Sequence, residues 1–424
     1  MRAAIAVALL AGGCLKSVQH QCAQSTECTL GGVQGTCEGN GFCSFPDPSC
    51  PGGARYGDLA GSLSNTCVGG PGGDGGVDSP VVDAPIDMFV PDARECFGAG
   101  AYELCFSGMP PMGTVSLAGT LDTTTDARCM AMPQSWIDAG QPDACMILAR
   151  DLTVTANLLV TGTRPLVLVG EHVRINAVVD IASHRGAATA PGGNAAQCSA
   201  FLAAPVASTN GGGGGAGGSF MTKGGNGGRA QDASSTGGTA AAADGVAPTI
   251  LRGGCAGQTA GDGTAAAGPP GAGGGAIYIA ASQLFLPSAG AINVSGAGGS
   301  AGGTFAGGSG AGSGGMIVIH TYELGLFGGR LVANGGGGAS GGTAGSAGVA
   351  GEDPAQGAPL IAANGGTGGG SAGGDGFAGT TQAANGAGGQ NNRAGGGGGG
   401  GGGYIQSNIA LSGVVASPTL TVVP

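Results

Sequence analysis

Charged and aromatic side chains are scarce in this chain of 424 residues: charged residues make up 9% and aromatic residues 4%. Fourteen residues are Lys or Arg against 25 Asp or Glu, which gives a formal net charge of −11. Binding to a nucleic-acid backbone depends on clustered cations, so no nucleic-acid partner is expected. No stretch of 18 consecutive apolar residues follows residue 13, so no membrane-spanning helix is expected.

Glycine is the residue present in excess. The chain has 99 glycines, about three times the usual share of roughly 7%. Segments such as GGGGGAGGSFMTKGGNGG keep no three-residue period, which excludes a collagen triple helix. The low charge and the clusters of β-branched residues argue against charge-driven disorder.

The first residues, MRAAIAVALLAGGC, have the layout of an export signal. One positive charge at Arg2 precedes an apolar run and a group of small residues, which is the order found in secretory signals. The end of this stretch, LLAGGC, resembles the lipobox of bacterial lipoproteins, with Ala11 in place of the usual leucine. The resemblance implies removal of residues 1–13 and a diacylglyceryl group on the thiol of Cys14. An ordinary cleaved signal with an incidental cysteine is the alternative.

The cysteine count is consistent with that resemblance. Thirteen cysteines leave twelve once Cys14 is set aside, in groups of six, four and two. An exported chain enters an oxidising compartment, so six disulfides are expected. Zinc binding is the alternative, but zinc sites favour closely spaced cysteine pairs such as C-x2-C. The shortest spacing between cysteines in this chain is C-x5-C. The candidate disulfide cysteines are Cys22, Cys28, Cys37, Cys43, Cys50, Cys67, Cys96, Cys105, Cys129, Cys145, Cys198 and Cys255.

The first two segments of the mature chain are predicted from composition. Residues 14–68 form a small disulfide-rich module, because so short a chain cannot bury an adequate core. Its six cysteines allow fifteen pairings, which stay open. Residues 69–95 form an acidic linker in which Asp recurs every four or five residues among four prolines. This spacing lacks the core of a calcium loop, so it favours an extended, self-repelling stalk.

Residues 96–150 contain the second cysteine group and the only tryptophan, Trp136. We expect a disulfide-stapled cap, since a solenoid needs its first apolar layer closed. Trp136 is expected in the core of this cap, and stacking on a sugar ring is the alternative.

Residues 151–424 contain an internal repeat. GGAIYIAASQLFLPSAGAINVSG (274–296) aligns with GGMIVIHTYELGLFGGRLVANG (314–335), so that Ile277, Ile279 and Leu284 match Ile317, Ile319 and Leu324. An earlier, glycine-poor copy spans 165–183, and a weaker one follows residue 402. Each copy predicts two or three short strands with inward residues at period two.

This pattern predicts an all-β fold, a glycine-rich parallel β-solenoid over residues 151–424. One coil cannot bury its apolar face alone, so successive coils stack. The repeat resembles the right-handed β-helix of polysaccharide lyases and of many surface proteins, in pattern only. A β-sandwich is the alternative, because alternation does not fix strand direction.

The glycine-rich tracts fall between the coils, at about 184–273, 297–313 and 336–403, and end in nine consecutive glycines, 395–403. Polyglycine can adopt the extended conformation with three residues per turn, and neighbouring tracts can then hydrogen-bond to each other. This arrangement resembles the polyglycine bundles of some extracellular glycine-rich domains. Disordered tracts are the alternative.

One charged cluster could carry chemistry: Asp180, His184 and Arg185, with His172 one strand earlier. A lyase needs a base, a charge-neutralising cation and often carboxylates that hold calcium. The cluster offers one carboxylate, so it favours a solvated turn. No catalytic residue, metal site or cofactor is expected.

The sequence therefore predicts a lipoprotein of the bacterial cell envelope, anchored at the outer membrane or cell surface. We expect a non-enzymatic structural or adhesion role, with the membrane and glycans or other envelope surfaces as partners. A carbohydrate-active, lyase-like β-helix is the alternative, and binding of ice or mineral surfaces is a third class.

Overall fold

The structure, a computed structural model, divides into two compact units, Met1–Val90 and Pro91–Pro424. Cys14, the signal segment 1–13 and residues 69–93 of the linker lie outside the described residues. The structure describes residues 22, 24–30, 32–60, 63–68, 94–107, 113–231, 234–390 and 392–423.

The N-terminal unit consists of short strands around three disulfides. A 3-10 turn, Ser25–Glu27, is followed by an antiparallel pair and an antiparallel three-stranded sheet. The bridges join Cys22–Cys37, Cys28–Cys43 and Cys50–Cys67, so the three bridges expected within this group are confirmed. The strands are Thr29–Leu30 (β1), Val33–Gln34 (β2), Thr36–Cys37 (β3), Cys43–Pro46 (β4) and Ala54–Tyr56 (β5).

The C-terminal unit contains the remaining strands and one short helix, Gln134–Asp138 (α1). The first two strands pair antiparallel, and a 3-10 turn, Gly100–Tyr102, lies between them. The strands are Arg94–Phe97 (β6), Leu104–Ser107 (β7), Thr114–Asp122 (β8), Cys145–Thr161 (β9), Leu166–Ile175 (β10), Val178–Asp180 (β11), Ala276–Leu286 (β12), Ala291–Asn293 (β13), Met316–Phe327 (β14), Arg330–Val332 (β15), Tyr404–Ser407 (β16), Val415–Ser417 (β17) and Thr421–Val422 (β18).

The strands β8 to β18 form one parallel sheet that curls into a solenoid. The long strand β9 pairs with β10 through its first part and with β11 through its second part. From there the sheet continues along two limbs. The first limb runs β10–β12–β14–β16–β18 and the second runs β11–β13–β15–β17. The predicted parallel β-solenoid is therefore confirmed, and it begins with β8, inside the segment 96–150.

The sequence repeat gives the register of the coils correctly. Ile277 lies opposite Ile317, Ile279 opposite Ile319 and Leu284 opposite Leu324, as the alignment predicts. Beyond Leu284 an irregularity places one extra residue in β14, so that Leu286 lies opposite Phe327. The deletion in the alignment falls after this point, because Ile292 lies opposite Leu331. Repeated copies stack in register because only then do their apolar side chains share one interior.

The interior between the two limbs is filled by aliphatic side chains. Ile277, Ile279, Ile317 and Ile319 are fully buried there with the leucines and valines of β8 to β11. Complete burial of each such side chain contributes roughly 1.5–3 kcal/mol. This cluster is the main apolar core of the unit.

The outer face of the first limb is buried as well, under residues 97–104 and 132–136. Tyr278 on β12 stacks on Trp136, with ring centroids 5.8 Å apart and planes 18° apart. Trp136 is 0% exposed and its indole N–H donates to the carbonyl oxygen of Pro142 at 2.8 Å. The expected core position of Trp136 is thus confirmed. The segment predicted as a terminal cap is divided in the structure. Residues 97–104 and 132–136 lie along the side of the sheet, because β12 and β14 carry apolar side chains on both faces. Residues 114–122 form β8, which pairs with β9 in the sheet itself.

The nine glycines 395–403 form the centre of an ordered bundle. The N–H groups of Gly395, Gly398 and Gly401 donate to carbonyl oxygens of the tract 212–218 at 2.9–3.0 Å. The N–H groups of Gly396 and Gly399 donate to carbonyl oxygens of residues 384–387, and those of Gly397, Gly400 and Gly403 donate to carbonyl oxygens of residues 333–339. The N–H group of Gly402 donates to the hydroxyl of Thr222. A period of three is the signature of the extended three-residue turn.

The carbonyl groups of the same run face three further tracts. They accept N–H groups from residues 308–314, 222–228 and 374–377 at 2.7–3.3 Å. The run therefore has six neighbours, and its backbone hydrogen bonds stabilise it in place of side-chain burial. A Cβ at Gly400 would lie 1.8 Å from the carbonyl oxygen of Gly312, so only glycine allows this spacing. The interpretation as disordered tracts is wrong for these residues.

Candidate functional site

The charged cluster that the sequence indicates lies where β11 meets the glycine bundle. His184 Nε2 is 3.0 Å from Asp180 Oδ2, and His184 Nδ1 is 3.7 Å from Asp353 Oδ2. The hydrogen bond with Asp180 and then the ion-pair contact with Asp353 raise the pKa of His184 to about 10, against the opposing effect of burial. His184 is therefore an imidazolium at neutral pH, bound between two carboxylates.

Both carboxylates have further partners. Asp180 Oδ1 accepts the side-chain amide of Asn293 at 3.1 Å, and Asp353 Oδ1 accepts the N–H of Gly298 at 2.7 Å. Burial opposes ionisation of Asp353, but the bonds from His184, Gly298 and the N–H of Arg185 outweigh it and lower its pKa. The cluster thus forms a cross-link between a strand end and a glycine tract.

The sequence missed Asp353 because it lies 168 residues from Arg185. No local spacing signals that contact. Arg185 is also occupied, since its Nη1 donates to the carbonyl oxygen of Gly351 at 2.9 Å. A protonated histidine cannot act as a general base, so His184 is not available as the base of a lyase at neutral pH.

His172 belongs to a different group, on the outer face of the solenoid beyond the covered part. Its Nδ1 is 3.1 Å from Asp151 Oδ1 on β9. Arg174 Nη1 lies 3.5 Å from the same oxygen, and the Arg174 guanidinium is 4.5 Å from the ring centroid of Phe285. All four residues are partly exposed. This group, which we call the outer row, places a histidine, a carboxylate and a cation on an accessible coil face.

A third group lies at the end of the glycine bundle that is remote from the strands. Arg393 precedes the run 395–403, and at ~3.1 Å per residue it lies about 30 Å along the tract from β16. Backbone hydrogen bonds and an isolated β-bridge connect Gln231 to Arg393, Arg393 to Thr343, and Thr343 to Phe305. We call this line the tip strip; its members are Thr264, Thr304, Phe305, Thr343, Arg393, Gln231 and Arg229.

The tip strip combines exposed polar side chains with one strained aromatic residue. Arg229, Gln231, Thr264 and Arg393 are exposed. Phe305 is partly exposed and has φ +55°, a conformation that costs a bulky residue on the order of 1–3 kcal/mol. Its neighbours hold it there, because its N–H donates to Thr343 and its carbonyl accepts from Gly212. Nothing in the sequence marked this group.

The N-terminal unit has an apolar hollow of its own. Phe45 and the Cys28–Cys43 bridge lie against it, and Leu30 and Leu59 at its edge are more than half exposed. Within the described residues, the cysteine sulfurs near enough to share a metal ion are already bound in disulfides.

No protein-family model, curated protein or solved structure matches this chain. Helices long and apolar enough to cross a membrane are absent from the part of the chain that the structure describes.

Proposed function

We propose that the chain is a cell-envelope lipoprotein with a non-enzymatic adhesion role, and that the tip strip is its binding surface. The anchor is the lipid on Cys14, and the acidic linker is the stalk. The observation that carries the proposal is the ordered, hydrogen-bonded bundle, which holds the turns of the tip strip at the end remote from the strands. Binding residues are commonly found on loops held by such scaffolds.

The chemistry of the tip strip suits a saccharide. The Arg393 guanidinium and the amide N–H groups of Gln231 can donate to sugar hydroxyls, and the ring of Phe305 offers an apolar face to a pyranose. Within the strip, the Thr264 hydroxyl bonds Thr304 and Gln231 Oε1 accepts the N–H of Asn392. Asp262, also exposed, lies two residues from Thr264. Charges of both signs favour a neutral, hydroxyl-rich glycan over a polyanion.

The test measures binding of the full mature protein to a panel of neutral and acidic polysaccharides. Phe305→Gly removes the ring while glycine accepts φ +55° without strain, so the fold is retained. We expect at least tenfold weaker binding in Phe305→Gly and in Arg393→Ala, which corresponds to about 1.4 kcal/mol. Val246→Ala, at a residue 79% exposed outside the strip, is the matched control. Binding that survives both strip variants would place the contact elsewhere.

The anchor has a separate test. Cells that express the wild type and are fed a fatty-acid analogue should yield a labelled protein, whereas Cys14→Ser should remain unlabelled. Label on the variant contradicts the lipoprotein assignment and leaves the binding test unaffected.

A polysaccharide lyase is the second candidate, because the outer row supplies a base and a cation. In such a site His172 would take the proton and Arg174 would neutralise a uronate. Lyase turnover leaves unsaturated products that absorb ultraviolet light. We expect none with acidic polysaccharides. Turnover that disappears in His172→Gln would establish the lyase in place of the adhesin.

A further inference from the structure

The Cys198–Cys255 bridge has surroundings that suit reaction rather than only cross-linking. Arg252 Nη1 lies 3.9 Å from the sulfur of Cys198 and 3.8 Å from that of Cys255. Arg252 is itself 6% exposed. A cation against both sulfurs favours the state in which one of them carries negative charge.

The guanidinium is fixed in that position by two other contacts. Its Nη2 pairs with the carboxylate of Asp244, and its central carbon is 4.1 Å from the ring centroid of Phe220. The charge is therefore already oriented and largely desolvated, so little reorganisation is needed when a thiolate forms next to it.

The two cysteines differ in exposure. Cys255 is 5% exposed, whereas Cys198 is partly exposed. A surface hollow of about 270 Å³ lies against the bridge, and both cysteines line it together with Ser199, Phe201 and Ser219. Because Cys198 is the more exposed residue, an incoming thiol from this hollow attacks Cys198, and Cys255 leaves.

We propose that Cys198–Cys255 is a thiol–disulfide exchange site for low-molecular-weight thiols. The thiolate RS⁻ attacks Sγ of Cys198, the Cys198–Cys255 bond breaks, and its electron pair leaves on Sγ of Cys255. The products are a mixed disulfide, Cys198–S–S–R, and a Cys255 thiolate beside Arg252. A good leaving thiolate accelerates this exchange.

The Cys129–Cys145 bridge provides an internal comparison. It also pairs a partly exposed cysteine with a fully buried one. The sulfur of Cys129, however, lies 3.7 Å from the carbonyl oxygen of Thr123. That oxygen also accepts a hydrogen bond from Arg164 Nε at 2.7 Å, so the guanidinium there is bound to a backbone oxygen rather than to a sulfur. This bridge should therefore exchange more slowly than Cys198–Cys255, whose sulfurs both contact Arg252.

The experiment treats the native, oxidised protein with reduced glutathione and follows each cysteine by alkylation and mass spectrometry. We expect Cys198–Cys255 to open at least tenfold faster than Cys129–Cys145, with glutathione on Cys198. Arg252→Gln should slow opening of the bridge. Asp244→Asn should speed opening, because no carboxylate then neutralises the Arg252 guanidinium and its charge acts more strongly on the sulfurs. Both variants are normalised to the Cys129–Cys145 rate, which reports general unfolding.

Three results would overturn the proposal. They are equal rates for the two bridges, glutathione on Cys255 instead of Cys198, and a normalised rate that is unchanged or higher in Arg252→Gln. The last result is interpretable even if the variant is less stable, because unfolding opens both bridges together.

Discussion

A methyl group at the centre of the glycine bundle tests the packing most directly. In Gly400→Ala the added Cβ would lie 1.8 Å from the carbonyl oxygen of Gly312 and 2.5 Å from its carbonyl carbon. Ordinary contact begins at about 3.4 Å, so the two tracts must separate by more than an ångström. The obstacle is backbone on both sides, and no side chain can rotate away.

The separation breaks the hydrogen bonds around residue 400. Its N–H donates to Gly336 at 2.9 Å, and its carbonyl accepts from Phe377 at 3.0 Å. Each buried polar group left without a partner costs about 1–3 kcal/mol, so the two groups of residue 400 together lose roughly 2–6 kcal/mol. Alanine also restricts the unfolded chain more than glycine does, and this effect stabilises the folded state by only about 0.4–1 kcal/mol.

Thermal unfolding of the oxidised protein measures this effect. We expect the melting temperature of Gly400→Ala to fall by roughly 5–10 °C for a unit of this size. Gly357→Ala is the matched control, because a Cβ there meets nothing within 4 Å, and it should melt at or slightly above the wild-type temperature. Equal melting temperatures for the two variants would refute the close-packed bundle.

Three further predictions concern the disulfides, the charged cross-link and the covered sheet face. The lipidated mature chain should show no free thiol when denatured without reductant, since six bridges use all twelve remaining cysteines; two or more titratable thiols contradict this. His184→Asn should have a lower melting temperature than the wild type at pH 6.5. The pKa of His184 in the folded protein, about 10, exceeds its ordinary value of 6.5, so the difference in melting temperature should shrink as the pH rises to 10. A difference in melting temperature that stays constant up to pH 10 would show that the charge of the imidazolium does not cause it. Trp136 is 0% exposed, so acrylamide should quench its fluorescence only after unfolding, and quenching of the native protein would show that the sheet face is uncovered.

The sequence was sufficient for the coils because their signal is local and repeated. Alternating isoleucines at Ile277 and Ile279, repeated at Ile317 and Ile319, define both the strand and its neighbour in the stack. The disulfide groups followed from cysteine spacing in the same way, although the pairing within the first two groups needed the structure.

The position of residues 96–136 could not be predicted in this way. The sequence indicates a disulfide-bonded segment ahead of a solenoid, which is compatible with a cap. The informative residues were those between the isoleucines: Tyr278 and Val318 are apolar too, which is typical of strands buried on both faces. Which segment covers the outer face depends on how the chain folds back, and no local pattern encodes that.

The sequence alone determined the all-β class, the stacked repeats, the cysteine groups and the glycine tracts, because composition, cysteine spacing and period-two alternation act over a few residues. The parallel strand direction, which separates a solenoid from a β-sandwich, came from the structure. The tertiary structure alone decided which groups meet: Asp353 with His184, Arg252 with the Cys198–Cys255 sulfurs, and Phe305 with Thr343 at the tip. The reason lies in the glycine tracts themselves. They have no side chains to specify a partner, so their neighbours are chosen by the backbone hydrogen bonds of the assembled bundle.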